Sequence, residues 1–138
     1  MPKVQADGLP LPQRYGAILT IVIGISMAVL DGAIANVALP TIATDLHATP
    51  ASSIWVVNAY QIVIVISLLS FSFLGDMFGY RRIYKCGLVV FLLSSLFCAL
   101  SDSLQMLTLA RVIQGFGGAA LMSVNTALIR LIYPQRFL

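Results

Sequence analysis

Four apolar runs divide this chain, and short polar stretches separate them. They fall at about 16–39, 53–75, 83–101 and 104–129, each near the roughly 20 residues that cross a bilayer as a helix. Runs such as "CGLVVFLLSSLFCAL" do not alternate, which argues against the ~10-residue alternating strands of a membrane barrel. The first run is also longer than the 7–15 residues of a signal-peptide core. The pattern predicts an all-α integral membrane fold with four transmembrane helices, residues 1–15 forming a cytoplasmic tail ahead of them.

The polar stretches give the orientation. Of the eight Lys and Arg residues, seven lie outside the runs or, as Lys85 does, at the start of one. Lys3 and Arg14 precede the first run; Arg81, Arg82 and Lys85 lie between the second and third; Arg130 and Arg136 follow the fourth. The other two connections carry Asp45, His47 and Asp102 but no Lys or Arg. Cytoplasmic segments collect basic residues, so both ends of the chain are expected on the cytoplasmic side of a bacterial inner membrane. Tyr15, Tyr80, Tyr84 and Tyr133 would mark the inner interface and Trp55 the outer one.

Composition agrees. The 138 residues are 59% hydrophobic and 9% charged, and the acids are five aspartates with no glutamate, whereas soluble domains are about a quarter charged. The net charge of +3 is spread between the runs and forms no basic, aromatic-interleaved patch, so nucleic acid is not an expected partner; lipid is. Cys86 and Cys98 would be about 18 Å apart along one helix, too far to bridge, and are expected to pack. Met27, Met106 and Met122 also suit packing. No His, Cys or carboxylate set has metal spacing, and no nucleophile–base pair suggests an enzyme.

Two ionisable residues lie inside the runs, Asp31 and Arg111. Such residues are expensive in lipid and mark function by default. At 1.5 Å per residue, Asp31 falls about 12 Å below the outer end of span one and Arg111 about 10 Å below the same surface in span four. The opposite charges are at matching depth. Asn58 and Gln61 of span two share that layer, at i, i+3. Small residues recur beside the charges: Gly24, Ala28, Gly32 and Asn36 in span one, and Arg111, Gly115 and Ala119 in span four, flanked by Gln114, Gly118 and Met122. Such faces let helices approach closely. The charges should therefore face protein or a cavity. Either they form a structural ion pair, or they form a proton- or ion-coupled path. Burial opposes ionisation of a carboxyl and a neighbouring guanidinium favours it, so a carboxyl held between the two can load and release protons when its surroundings change.

At these positions the sequence resembles the major facilitator superfamily, and more narrowly its drug:proton antiporter branch with fourteen spans, the EmrB/QacA type. "LDGAIANVALP" (30–40) is similar to the first-helix motif lDxTvvNVALP, with Ala33 in place of threonine. "SFLGDMFGYRR" (72–82) is similar to the loop signature GxLaDrxGrkx through Leu74, Asp76, Gly79 and Arg81, with Ser72 for the first glycine and Tyr80 for a basic residue. "LTLARVIQGFGGAA" (107–120) is similar to the fourth-helix motif through Arg111, Gln114, Gly115 and Gly117.

The resemblance implies a secondary transporter that exchanges protons for small drug-like compounds by alternating access, with the proton gradient as its energy source and no cofactor. Proton coupling would fall to Asp31 and Arg111. A conformational latch would fall to Asp76, with Gly79 allowing the turn and Arg81 or Arg82 supplying the cation that Tyr80 removes. Asn36, Asn58, Gln61 and Gln114 are candidates for a substrate pathway, and Gly24, Gly32, Gly115 and Gly118 for helix packing. For Asn58, Tyr60 and Gln61, substrate lining and plain interhelical hydrogen bonding are equal readings. The fold resembled has two six-helix halves, of which four helices form an incomplete N-terminal bundle. The chain is thus expected to be the N-terminal portion of a transporter whose remaining helices are its partners. The alternatives are a non-transporting membrane fragment or interaction subunit, a four-helix protein that oligomerises, and an importer of another solute.

Overall fold

The computed structural model describes residues 10–132, apart from the side chains of Thr126 and of residues 129–132. Lys3, Asp7, Tyr133, Arg136 and the side chain of Arg130 thus lie outside the described residues. The described chain is four helices: α1 (Leu11–Asp45), α2 (Pro50–Phe78), α3 (Tyr80–Ala99) and α4 (Leu104–Ile132). All four are long and apolar enough to cross a membrane. There is no strand among the described residues.

The helices run further than the apolar pattern predicts. Residues 11–15, expected in the tail, form the first turn of α1, where Pro12 sits near the N-terminus and needs no backbone donor. Pro40 does not end α1. The helix continues through it for another turn, and the Thr44 hydroxyl donates to the Pro40 carbonyl at 3.0 Å. With 35 residues, α1 spans about 52 Å, well beyond a hydrocarbon core of about 30 Å. His47, at φ 50°, turns the chain after α1. Thr49 then caps α2, its hydroxyl accepting from the Ser52 N–H at 3.2 Å, ahead of Pro50 at the first helical position.

The second connection is one residue. α2 ends at Phe78 and α3 begins at Tyr80, with Gly79 between them at φ 96°, ψ 129°. A side chain is strained in that region of φ. The Gly79 N–H closes α2 on the Gly75 carbonyl at 2.9 Å, and its own carbonyl accepts from Arg82 and Ile83. Ser103 starts α4 by accepting the Met106 N–H on its hydroxyl at 3.2 Å.

α4 is the axis of the bundle. In its apolar stretch 61% of residues are buried, against 17–22% in the other three helices. It packs mainly on α3 and α2, and less on α1. Its glycines divide by direction. A Cβ at Gly117 would stand 2.7 Å from the Phe91 N and 2.9 Å from the Gly87 carbonyl of α3. At Gly115 it would meet the Tyr60 carbonyl and Val63 of α2 at 3.0 Å, and at Gly118 the Tyr60 hydroxyl at 3.1 Å. Around these seams lie Phe91, Leu121 and Val124 on the α3 side and Tyr60, Ile64 and Ala119 on the α2 side.

Helix α1 is held differently. Gly24 receives the Tyr84 ring, whose hydroxyl donates to the Thr20 carbonyl at 2.9 Å. Tyr84 is therefore a buried tie between α3 and α1, not the interface marker expected of it. The small-residue ridge of α1 is buried only at Gly24 and Ala28. Gly32 is half-buried, and an added Cβ there would meet nothing within 4 Å. Among the described residues Gly32 is thus not the packing position expected.

The seams make a prediction. Gly117→Ala pushes a methyl into backbone and should cost roughly 1–3 kcal/mol, lowering the thermal unfolding midpoint of the detergent-solubilised protein. Gly16→Ala, where an added Cβ meets nothing within 4 Å, should leave it unchanged or slightly raised. Equal midpoints for the two variants would contradict the close α3–α4 approach.

Candidate functional site

Three side chains close a ring between α1 and α4. Arg111 Nη1 donates to Asp31 Oδ2 at 2.6 Å and to Gln114 Oε1 at 2.6 Å. Gln114 Nε2 donates to Asp31 Oδ1 at 2.9 Å. Arg111 and Gln114 are i, i+3 on α4 and so share one face. Both Asp31 oxygens are engaged, one by a charged donor and one by a neutral donor. Charge-assisted bonds of this kind are short and strong.

The ring is buried unevenly. Gln114 is fully buried, the Arg111 side chain is 5% exposed and the Asp31 side chain 18%. Asp31 is therefore the member with an open side. Two further helices reach the ring. From α2, the Tyr60 ring lies 4.5 Å from Arg111 Cζ, a cation–π contact. From α3, the Cys98 thiol donates to Gln114 Oε1 at 3.6 Å. Every helix of the bundle thus contributes to the surroundings of one guanidinium.

The arrangement revises several sequence expectations. Gln114, a candidate for the substrate pathway, instead bonds both charges and is sealed from the bundle surface. Tyr60 meets the site through its ring, and its buried hydroxyl has no hydrogen-bond partner among the described residues. Cys98, expected only to pack, touches the ring through its thiol. Asn36, Asn58 and Gln61 are exposed on the four-helix bundle and are not brought to the ion pair.

A signal for Tyr60 lay in the pattern of α2. Its buried positions are Ser53, Val56, Tyr60, Ile64, Ser67 and Gly75. The first five recur every three or four residues and so form one stripe. At 100° per residue, Gln61 and Asn58 are turned off that stripe. Polarity drew attention to them, but helical phase selects Tyr60.

The residues expected to form a latch lie apart from this site. Asp76 closes α2 and lies exposed, and the Tyr80 hydroxyl donates to its Oδ1 across the Gly79 turn. Arg81 and Arg82 are exposed, and neither pairs with Asp76 among the described residues. The substitution of Tyr80 for a basic residue thus supplies a neutral donor at the same carboxylate. No group of three or more His, Cys, Asp or Glu is placed to hold a metal among the described residues.

One stability experiment separates the ring from the exposed polar residues. Gln114→Leu leaves Asp31 Oδ1 without its donor and should cost roughly 1–3 kcal/mol. Asn58→Ala and Gln61→Ala should each stay within about 0.5 kcal/mol of wild type. Thermal unfolding in detergent checks the order, and a larger loss for Gln61→Ala than for Gln114→Leu would contradict it.

Comparison with known proteins follows the same residues. Positions 21–137 match the sequence pattern of the Major Facilitator Superfamily. The chain is 99% identical over 138 residues to "Uncharacterized transporter YebQ" of Escherichia coli (strain K12), a match covering 100% of this chain and 30% of that protein. It is 35% identical over 124 residues to "Riboflavin transporter RibZ" of Clostridioides difficile (strain 630), covering 90% of this chain and 27% of that protein. It is 40% identical over 112 residues to "Putative multidrug resistance protein MdtD" of Salmonella newport (strain SL254), covering 81% and 24%. The chain thus spans less than a third of the length of these curated relatives.

Proposed function

The chain belongs to the major facilitator superfamily, and from this we propose that its four helices carry the proton-exchanging site of a secondary transporter that expels small drug-like compounds. The transporter is assigned to the fourteen-span drug:proton antiporter branch. It sits as a multi-pass protein in the bacterial inner membrane with the Arg81–Lys85 turn on the cytoplasmic side. The first-helix motif around Asp31 and the likeness to a protein named for multidrug resistance support the branch.

The observation that carries the reading is the ring itself, with Asp31 its most accessible member. The Asp31 carboxyl meets the buried Arg111 guanidinium at 2.6 Å. Protonation cancels the charge that holds it to Arg111 and leaves the guanidinium dependent on its other contacts. Proton occupancy is thereby linked to how tightly α1 is held to α4. Because α1 packs less extensively on α4 than α2 and α3 do, a change at this contact can alter its position. Transporters of this architecture work by rocking one helix bundle against another around a central site.

The exposed polar side chains fit the same scheme. Asn36, Asn58 and Gln61 lie within membrane-length helices at the surface of the four-helix bundle. Polar groups left against lipid without partners are costly, so these faces are assigned to a water-filled substrate pathway or to further helices. Asp76, Gly79 and the Arg81–Arg82 pair are assigned to the conformational latch. There the Tyr80–Asp76 bond ties the end of α2 to the start of α3 across one residue.

A second reading is transport of another solute on the same scaffold, favoured by the likeness to a protein named as a riboflavin transporter. One experiment tests both. A full-length transporter containing these helices is reconstituted in vesicles with an imposed pH gradient, and ethidium and riboflavin are followed separately. Gradient-driven ethidium movement that falls to the empty-vesicle level in Asp31→Asn is the expected outcome. Gradient-driven movement of riboflavin alone would select the second reading, and full gradient-driven transport in Asp31→Asn would overturn the role given to Asp31.

A further inference from the structure

Arg111 has more contacts than an ion pair requires. Its guanidinium edge is taken by Asp31 and Gln114 through Nη1. Its Cζ also lies over the Tyr60 ring, 4.5 Å from the centroid. The hydrogen bonds run from Nη1 and the ring contact is made at Cζ, so Arg111 makes both at once. Tyr60 is 5% exposed and Arg111 4%, so the stacked pair is dry. A cation on an aromatic face is held most firmly under that condition.

The placement of Tyr60 is built in from the backbone. Its carbonyl stands 3.0 Å from where a Cβ at Gly115 would be, and its hydroxyl 3.1 Å from one at Gly118. Two glycines of α4, one and two turns from Arg111, thus leave room for the whole residue. Its hydroxyl, once there, has no hydrogen-bond partner among the described residues. A buried hydroxyl without a partner is a cost, so hydrogen bonding does not explain the position. The ring face does.

Protonation of Asp31 gives this contact a consequence. The charged groups facing Arg111 are few: Asp31 from α1, with the neutral Gln114 beside it on α4, the Tyr60 ring from α2 and the Cys98 thiol beyond Gln114 from α3. When the carboxyl is neutral, Gln114 Oε1 and the Tyr60 ring are the remaining described contacts of the guanidinium. We infer that Tyr60 is a positioning residue: its ring holds the Arg111 guanidinium in place while Asp31 is neutral, so that the ion pair re-forms without the cation leaving the site. The inference rests on the proton-exchange reading above, but the contact itself is testable without transport.

The test uses a full-length transporter containing these helices, reconstituted in phosphatidylethanolamine–phosphatidylglycerol vesicles and labelled with ¹⁵N-arginine. Solid-state NMR reads the rate at which the Arg111 guanidinium reorients, with Arg111→Lys identifying its signals. Asp31→Asn supplies a neutral side chain at that position at every pH. In that background Arg111 should stay ordered, and it should stay equally ordered in D31N/Y60F, which keeps the ring and drops the idle hydroxyl. In D31N/Y60L reorientation should be about tenfold faster, the scale of one desolvated cation–π contact. A merely structural Tyr60 would make the Phe and Leu variants alike, and that result would overturn the inference. So would disorder of Arg111 in D31N alone. Loss of gradient-driven transport in D31N together with these NMR results supports both the proton-exchange reading and the contact, whereas intact transport in D31N would remove the proton-exchange reading and leave the contact standing.

Discussion

A guanidinium inside a membrane helix has to be neutralised, and Arg111 organises this bundle around that requirement. An unpaired arginine at a helix centre costs roughly 2.5–3.5 kcal/mol on insertion scales. Here the cost is met by α1 through Asp31, by α4 itself through Gln114 and by α2 through the face of Tyr60. A buried pair of this kind is weak evidence of added stability, because desolvation offsets attraction. Its value is in specifying which helix faces meet. Removing either partner would strand the other, so the pair fixes the rotation of α1 about its own axis.

That constraint explains an asymmetry in the packing. α4 meets α3 and α2 through glycine and alanine seams where backbones nearly touch, as at Gly117 against Gly87 and Phe91. Such contacts have no give, because an added methyl already collides with main chain. α1 lacks an equivalent seam along most of its length. It is tied by Tyr84 at Gly24 and Thr20, and by Asp31 in the ring. One of those ties is a neutral hydrogen bond, and the other is an ion pair. Three closely packed helices with a fourth held partly by an ion pair are the arrangement on which the proposed link between proton occupancy and helix position rests.

Much of this was visible in the sequence. Four apolar runs announced four helices, and the matching depths of Asp31 and Arg111 followed from a fixed rise per residue. Depth is a one-dimensional quantity, and a linear sequence carries it well. Which way a side chain points is not one-dimensional. Gln114 was visible as polar, but its closure of the ring depends on the rotation of α1 relative to α4. Tyr60 sat on the buried stripe of α2, while the more polar Asn58 and Gln61 beside it drew notice and face outward. Gly32 continued a ridge that the structure buries only as far as Ala28, because α1 is packed closely over part of its length. The polar stretch at 76–82 read as a loop, yet only Gly79 is non-helical, since one residue at φ 96° suffices to reverse the chain.

In the proposed function the carboxyl of Asp31 exchanges a proton in place, within reach of Arg111. Infrared difference spectroscopy of the full-length protein in lipid, titrated from alkaline to acidic pH, addresses this directly. The account predicts a protonated-carboxyl band that grows as pH falls and is missing from Asp31→Asn, while the amide bands of the helices persist. If no such band separates wild type from Asp31→Asn at any pH where the helices remain folded, the carboxyl is a fixed structural charge and the account is wrong.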